Sequence, residues 1–521
     1  MTTTETSSSD DHRARAIAKL HLELKKDVKL ARSIAGACGV WELLRFCYLC
    51  RINRTLRLAP EYLEQPGEAQ VAQMQLADDS MKYAIALIGK HGSWKRKLPS
   101  AKDFHHFRNE RCLELDRQTR YVNAKFESEI LLHIAEVRVS GERDQECELN
   151  LAEGLKDPQR AMHFEFGLRI ERATKSSKDD LLTIEVLVER LRRDYRVVED
   201  QFKADAGLSL DQFCDGMLSL HQLLRARAQA QEVHCALKEN GRVDLEAKTT
   251  FIAMSMAFVL TNADLAKALS SEFVGYIKRN AFDGTQFSDS ELRFHYLTRR
   301  PFFVGDGFFI LSPELIFDSL FDNAHFSLLE SDSSKDEYKK RRAIQFVDEV
   351  ARIALTAGYS EVARDLDLTE GKQQIGDIDL VLRNETTGHT LLVEAKNHSL
   401  PLPVYFRSPT AVEEHVARTR DWEKKVQRRI QHLGSSSSSY AVGTPWDYII
   451  VSNMPEPLAH VTPLLVLSLR EFTGWVSQEQ RPSKFADFYQ AFYETNEPTM
   501  SKDELESFIE SGFSLARPNL D

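Results

Sequence analysis

Residues 376–397 read GDIDLVLRNETTGHTLLVEAKN, and this stretch decides the fold. Side chains of a strand alternate between two faces, so residues two apart share one. Asp377 and Asp379 therefore lie on one face of a first strand, with Ile378, Leu380 and Leu382 on the other. On a second strand Glu394 and Lys396 share a face, and Leu391, Val393 and Ala395 take the opposite one. The turn-rich segment Asn384–His389 between them predicts a hairpin, which converges two or three carboxylates and an ammonium on one patch. That is the minimum needed to hold a hard cation beside a polarised water.

The flanks extend this reading. SDSSKDE (331–337) is polar and marks a boundary. A helix is predicted over about 337–357, with Ala343, Phe346, Val350, Ile353 and Ala357 on one face and Gly358 as its stop. After the hairpin comes a second helix, Val412–Leu433, which contains RTRDWEKKVQRR (418–429), six basic residues against two acidic. A basic run on a helix is ordinarily a solvated face. GSSSSSYAVGTP (434–445) reads as a loop, then WDYIIVSN and PLLVLSL as buried strands. Helix, strands, helix, strand, strand is an α/β sandwich around a mixed sheet.

Upstream, the apolar spacing over residues 13–295 is helical, without a fixed repeat, and carries no motif with chemistry. The expected organisation of this multidomain α+β chain is a disordered tail (1–12), a large all-α region (13–295) and a β-hairpin plus helix connector (296–335). The sandwich (336–475) and C-terminal helices (476–521) follow. The helical region is a surface for an unidentified protein partner, a scaffold or a substrate clamp. Cys47 and Cys50 form a CxxC inside a helical pattern with no second pair, which fits buried helix cysteines better than zinc. No apolar run approaches the ~18–20 residues of a membrane span, and the acidic, polar start lacks the core of a signal peptide. The expectation is a cytoplasmic protein with no membrane association. A net charge of −11 counts against coating nucleic acid nonspecifically, though not against a localised groove.

Three segments in this order, Gly358–Tyr359, Gly376-Asp377-Ile378-Asp379-Leu380 and Val393-Glu394-Ala395-Lys396, resemble the PD-(D/E)xK (restriction-endonuclease-like) nuclease superfamily. They are most similar to its Mrr-like and Holliday-junction-resolvase-like branches, over about 337–475. The resemblance implies a Mg²⁺- or Mn²⁺-dependent DNA endonuclease. Asp379, Glu394 and the carbonyl of Ala395 would be the metal ligands. Lys396 would orient the attacking water and offset phosphorane charge. Asp377 is an alternate ligand. Relatives carry a glutamate on the preceding helix where this chain has Val347; Glu349 is the nearest candidate, and its displacement weakens the case for a second metal. Arg418, Lys424, Lys425 and Arg428 would touch phosphate, and Gln427 would reach the site unless it is an ordinary surface residue. His398 reads as solvent-exposed. Helical halves fused to such nucleases are typical of restriction and anti-phage proteins, which implies a defence role. Two alternatives stay open: a noncatalytic scaffold whose Asp/Glu/Lys set is a structural salt bridge, and an RNase on the same core.

Overall fold

The computed structural model describes residues 5–57, 68–140, 146–174, 183–238, 248–294, 296–440 and 442–494. The chain forms two compact units, and neither is continuous in sequence. Of the described residues, one comprises those up to Ile17, those from Ser128 to Ser176 and those from Lys340 onward; the other comprises those from Ala18 to Glu127 and from Ser177 to Lys339. This differs from a division at residue 336, because residues 128–176 of the helical half belong with the sandwich. The expected tail also differs: a helix runs Glu5–Gly36, so residues 5–12 are helical. An acidic start suits a helix N-terminus, where the backbone dipole favours negative charge.

The Ala18–Lys339 unit is built of helices on two apolar cores, one around Trp41, Phe46, Tyr83 and Trp94, the other around Phe202, Phe213, Phe273 and Tyr276. Cys47 and Cys50 are buried on the Val40–Arg57 helix, where burial pushes the Cys47 thiol up to about 12. The expected hairpin at 303–310 does form, but a third strand, Val259–Thr261, pairs with it. The segment 296–335 is thus part of this unit's core rather than a connector.

The sandwich unit holds a five-stranded mixed sheet whose spatial order follows the sequence. We number its strands β1 (Tyr359–Glu370), β2 (Gln373–Asn384), β3 (Thr390–Lys396), β4 (Trp446–Ser452) and β5 (Leu465–Ser468). β1, β2 and β3 form an antiparallel meander, and β3–β4 and β4–β5 are parallel. Strands β3, β4 and β5 are nearly continuous apolar runs, as expected of strands covered on both faces. The Lys335–Thr356 helix buries Phe346, Val350, Ile353 and Ala354 against the sheet and ends at Gly358 with φ +81°; Ala343, expected on that face, is exposed. The Pro409–Ser436 helix buries Val426 and Leu433.

The serine-rich loop is shorter than expected. The helix continues to Ser436 and a 3₁₀ turn, Ser437–Tyr440, follows. Tyr440 fastens this turn: its hydroxyl donates to the Thr369 carbonyl at 2.7 Å and accepts from the Thr369 N–H at 2.9 Å. The Leu469–Val476 helix closes the sandwich; of the C-terminal helices expected over 476–521, Phe485–Tyr489 is seen, and residues 495–521 lie outside the described residues.

The Pro158–Thr174 helix joins the sandwich unit through Arg169, which is fully buried. Its guanidinium forks onto Glu471 at 2.7 and 2.8 Å and donates to the Glu456 carbonyl at 2.8 Å. Tyr493 also donates to Glu471, at 2.6 Å.

Candidate active site at the strand fork

β2 pairs with β3 from Arg383↔Thr390 to Leu380↔Val393. Beyond that point the strands part: β2 continues toward Gln373 paired with β1, while β3 continues to Lys396 paired with β4. The register carried one step further sets Asp379 opposite Glu394. In the β1–β2 ladder, Arg364↔Leu380 and Leu366↔Ile378 bracket Asp365 opposite Asp379. The next row holds Asp367 opposite Asp377, with Lys396 two residues beyond Glu394. Opposed residues share a face, so both rows of charge lie on one side of the sheet.

Asp379 fills the fork. Its Oδ2 accepts the backbone N–H of Ala395 at 2.6 Å, which substitutes for a ladder bond the diverging strands no longer make. Ala395 thus meets the site through its N–H. Burial, then the nearby charge of Glu394, pushes the Asp379 carboxyl up to about 6 against the opposing pull of Lys396. Carboxylate oxygens of Asp365, Asp377 and Asp379 all lie within 4.8 Å of one another. Asp365 reaches this cluster from a left-handed backbone, φ +49°, a conformation aspartate tolerates better than most residues.

Glu394 is held differently. Only 4% exposed, it receives Lys396 Nζ on Oε1 at 2.6 Å and Arg429 Nη1 on Oε2, with the Tyr448 hydroxyl at 3.4 Å. Arg429 comes from the Pro409–Ser436 helix and also reaches Asp377 Oδ1 at 3.3 Å. Burial works against the Arg429 charge, but Glu394, Tyr448 and Asp377 hold it, and its pKa rises. Gly376 makes room for this guanidinium. A Cβ there would stand 2.6 Å from Arg429 Nε, and the glycine's φ of +147° is one that L side chains rarely adopt.

Asp377, Asp379, Glu394, Ala395 and Lys396 therefore converge, as the sequence suggested. Other candidates do not join them. Glu349 pairs with Arg352 at 2.6 Å one turn along its own helix. Gln427 donates to Glu423 at 3.1 Å. Of the basic set, Arg428 is exposed and donates to the Gln374 carbonyl at 3.0 Å, at the open end of β2. Lys425 is exposed and pairs with Asp421; Arg418 and Lys424 are exposed.

His398 differs from the expectation of solvent exposure. It is half-buried, edge-on to Trp422 with ring centroids 5.0 Å apart.

Sequence reasoning missed Asp365, Arg429 and Tyr448. Arg429 had a signal: it lies three residues after Val426 and four before Leu433, on the buried stripe of its helix.

No family model matches this chain, and no curated protein or solved structure matches it. Among the described residues, no single helix is long and apolar enough to cross a membrane.

Proposed function

We propose that this protein is a metal-dependent phosphodiesterase acting on nucleic acid, with DNA as the first substrate to test. The observation that carries the reading is Asp379 in the strand fork, with its carboxyl pushed up to about 6 and Lys396 and Glu394 beside it. Three carboxylate oxygens within 4.8 Å suit a hard divalent cation such as Mg²⁺ or Mn²⁺, which prefers oxygen donors. Asp379, Asp377 and Asp365 would hold it. This differs from the set drawn from the resemblance, because Glu394 is occupied by Lys396 and Arg429. When bound, such an ion supplies Lewis-acid polarisation of a phosphate oxygen and of water.

The chain's own groups do the rest. Lys396, fixed by Glu394, presents an ammonium beside the position where phosphorane charge develops. The Ala395 N–H fixes one oxygen of Asp379 and so its orientation. Exposed Arg428, Lys424, Lys425 and Arg418 lie along one helix where a phosphate backbone can track.

The closed Arg429–Glu394–Lys396 network favours a second reading, a noncatalytic sandwich in which these charges are structural. Purified protein incubated with plasmid DNA and with RNA, in Mg²⁺, Mn²⁺ or chelator, separates the two. The proposal expects metal-dependent cleavage lost in both Asp379→Asn and Lys396→Ala. Cleavage of RNA alone would move the substrate to RNA and keep the chemistry. Cleavage unchanged in either variant, or no cleavage of any substrate, would reject the enzyme reading.

A further inference from the structure

Glu456 is completely buried, four residues beyond the end of β4. Its Oε2 meets His415 Nε2 at 2.8 Å, and its Oε1 stands 2.9 Å from His398 Nε2. The second contact is out of line for an N–H···O bond. Glu456 Oε1 and both ring nitrogens of His398 are consequently buried without a hydrogen-bond partner. Leaving a buried carboxylate oxygen and an imidazole in contact but without an aligned hydrogen bond is costly, and native structures rarely do so without a reason. The donor atoms of the three residues all lie within 4.8 Å of one another.

We propose that His398, His415 and Glu456 form a binding site for one divalent transition-metal ion, zinc in the first instance. The donor set carries this: two imidazoles and one carboxylate are what borderline metals take, whereas Mg²⁺ and Ca²⁺ take oxygen. Donors around a tetrahedral zinc stand roughly 3.3 Å apart, so the two Glu456–histidine contacts need open by only a few tenths of an ångström. Since either ring nitrogen of His398 is unpartnered, the imidazole can offer whichever one points inward. Three protein ligands leave a fourth position for water, and His398, 30% exposed at its side chain, gives solvent access. Arg169 supports the carboxylate from behind, through the Glu456 carbonyl.

The site ties together three elements that frame the fork. His398 follows β3 directly, its N–H on the Lys396 carbonyl at 3.2 Å, and that same carbonyl accepts Asn453 N–H at 3.3 Å. His415 lies on the helix that supplies Arg429. An ion here would pin the ends of β3 and β4 to that helix and fix the backbone of Lys396. The inference does not depend on the nuclease reading.

The test uses the full chain, stripped with chelator and titrated with ZnCl₂ against a chromophoric competitor, then loaded with Co²⁺. We expect one equivalent bound, a tetrahedral Co²⁺ spectrum and a zinc-dependent rise in melting temperature. Glu456→Gln keeps the side chain's size, and His398→Ala alters a half-exposed residue, so at least one variant should fold. Each should weaken zinc by at least about tenfold, the lower bound for losing even an outer partner of a metal ligand. Asp379→Asn should leave zinc affinity unchanged. Failure of the wild-type chain to bind zinc would overturn the proposal, as would undiminished binding in both ligand variants. Loss of binding in Asp379→Asn would also overturn it, by placing the ion at the carboxylates instead.

Discussion

Asp379 sits in the fork at a cost to stability, and Asp379→Asn should expose that cost. In the folded protein the carboxyl titrates at about 6, against 3.8 for an unperturbed aspartate. Between those values the native state holds a proton that the unfolded chain has released, so wild-type stability falls as pH rises through this window. Well below pH 3.8 both states are protonated and the penalty vanishes; well above pH 6 it is complete. At 1.36 kcal/mol per pH unit the difference is about 3 kcal/mol, which solvent at the partly exposed carboxylate reduces to about 2 kcal/mol. The amide of the variant keeps an acceptor for the Ala395 N–H and loses the charge. In chelator, the variant should be more stable than wild type by about 2 kcal/mol at pH 7 and by no more than about 0.4 kcal/mol near pH 4. Hydrogen exchange followed by mass spectrometry reads this for the sandwich alone. Amides of Leu380–Leu382 and Leu391–Val393 lie in the β2–β3 ladder and exchange by opening the sheet. Their exchange in the variant should be roughly thirtyfold slower at pH 7 and at most about twofold slower at pH 4. A ratio independent of pH, or a variant less protected at pH 7, would refute the reasoning. Stabilisation by Asp379→Asn, together with the loss of cleavage that the proposed function expects of the same variant, is the signature of a functional acid.

Arg169→Met should destabilise the sandwich unit by about 3–5 kcal/mol, because it strands the fully buried Glu471 without its cation; loss of protection in the same sheet amides measures this, and protection unchanged from wild type would show that residues 158–174 contribute nothing there. Reversing Lys424, Lys425 and Arg428 to glutamate should weaken nucleic-acid binding across sequences and flatten its salt dependence, by about one unit of log–log slope for each phosphate no longer neutralised. Fluorescence anisotropy at several salt concentrations checks this, and an unchanged slope would remove the helix from the interface.

Strands β2 to β5 were legible because each carries either a period-two pattern or a short apolar run bounded by turns. β1 was not. YSEVARDLDLTE is an edge strand with mostly exposed residues on both sides, so no burial pattern marks it, and Asp365 was invisible with it. The membership of residues 128–176 was equally hidden: the Pro158–Thr174 helix looks the same whichever core it meets, and the paired strands Glu136–Ser140 and Glu146–Asn150 depart from the all-α region expected there. Asp379, Glu394 and Lys396 were found because a hairpin brings neighbours in sequence together. His398, His415 and Glu456 come from a strand end, a helix and a loop, and nothing local connects them.

Charge balance at the fork explains why its acids divide into two kinds. Asp365, Asp367, Asp377, Asp379 and Glu394 share one face of the sheet, and Lys396 and Arg429 are the cations bonded among them. Five acids less two bases leave an excess of three negative charges. Lys396 and Arg429 are engaged chiefly by Glu394, the innermost acid, which is 4% exposed and would otherwise be an uncompensated buried charge. The acids left outside that network are Asp365, Asp367 and Asp379, with Asp377 held only by a 3.3 Å contact to Arg429, and the oxygens of Asp365, Asp377 and Asp379 approach within 4.8 Å. A phosphate backbone brought to this face meets net repulsion until a divalent cation offsets it. On the proposed reading the ion would be needed for the substrate to approach as well as for the chemistry. Glu394 would then serve it indirectly, by holding Lys396 and Arg429 on the face that phosphate would meet.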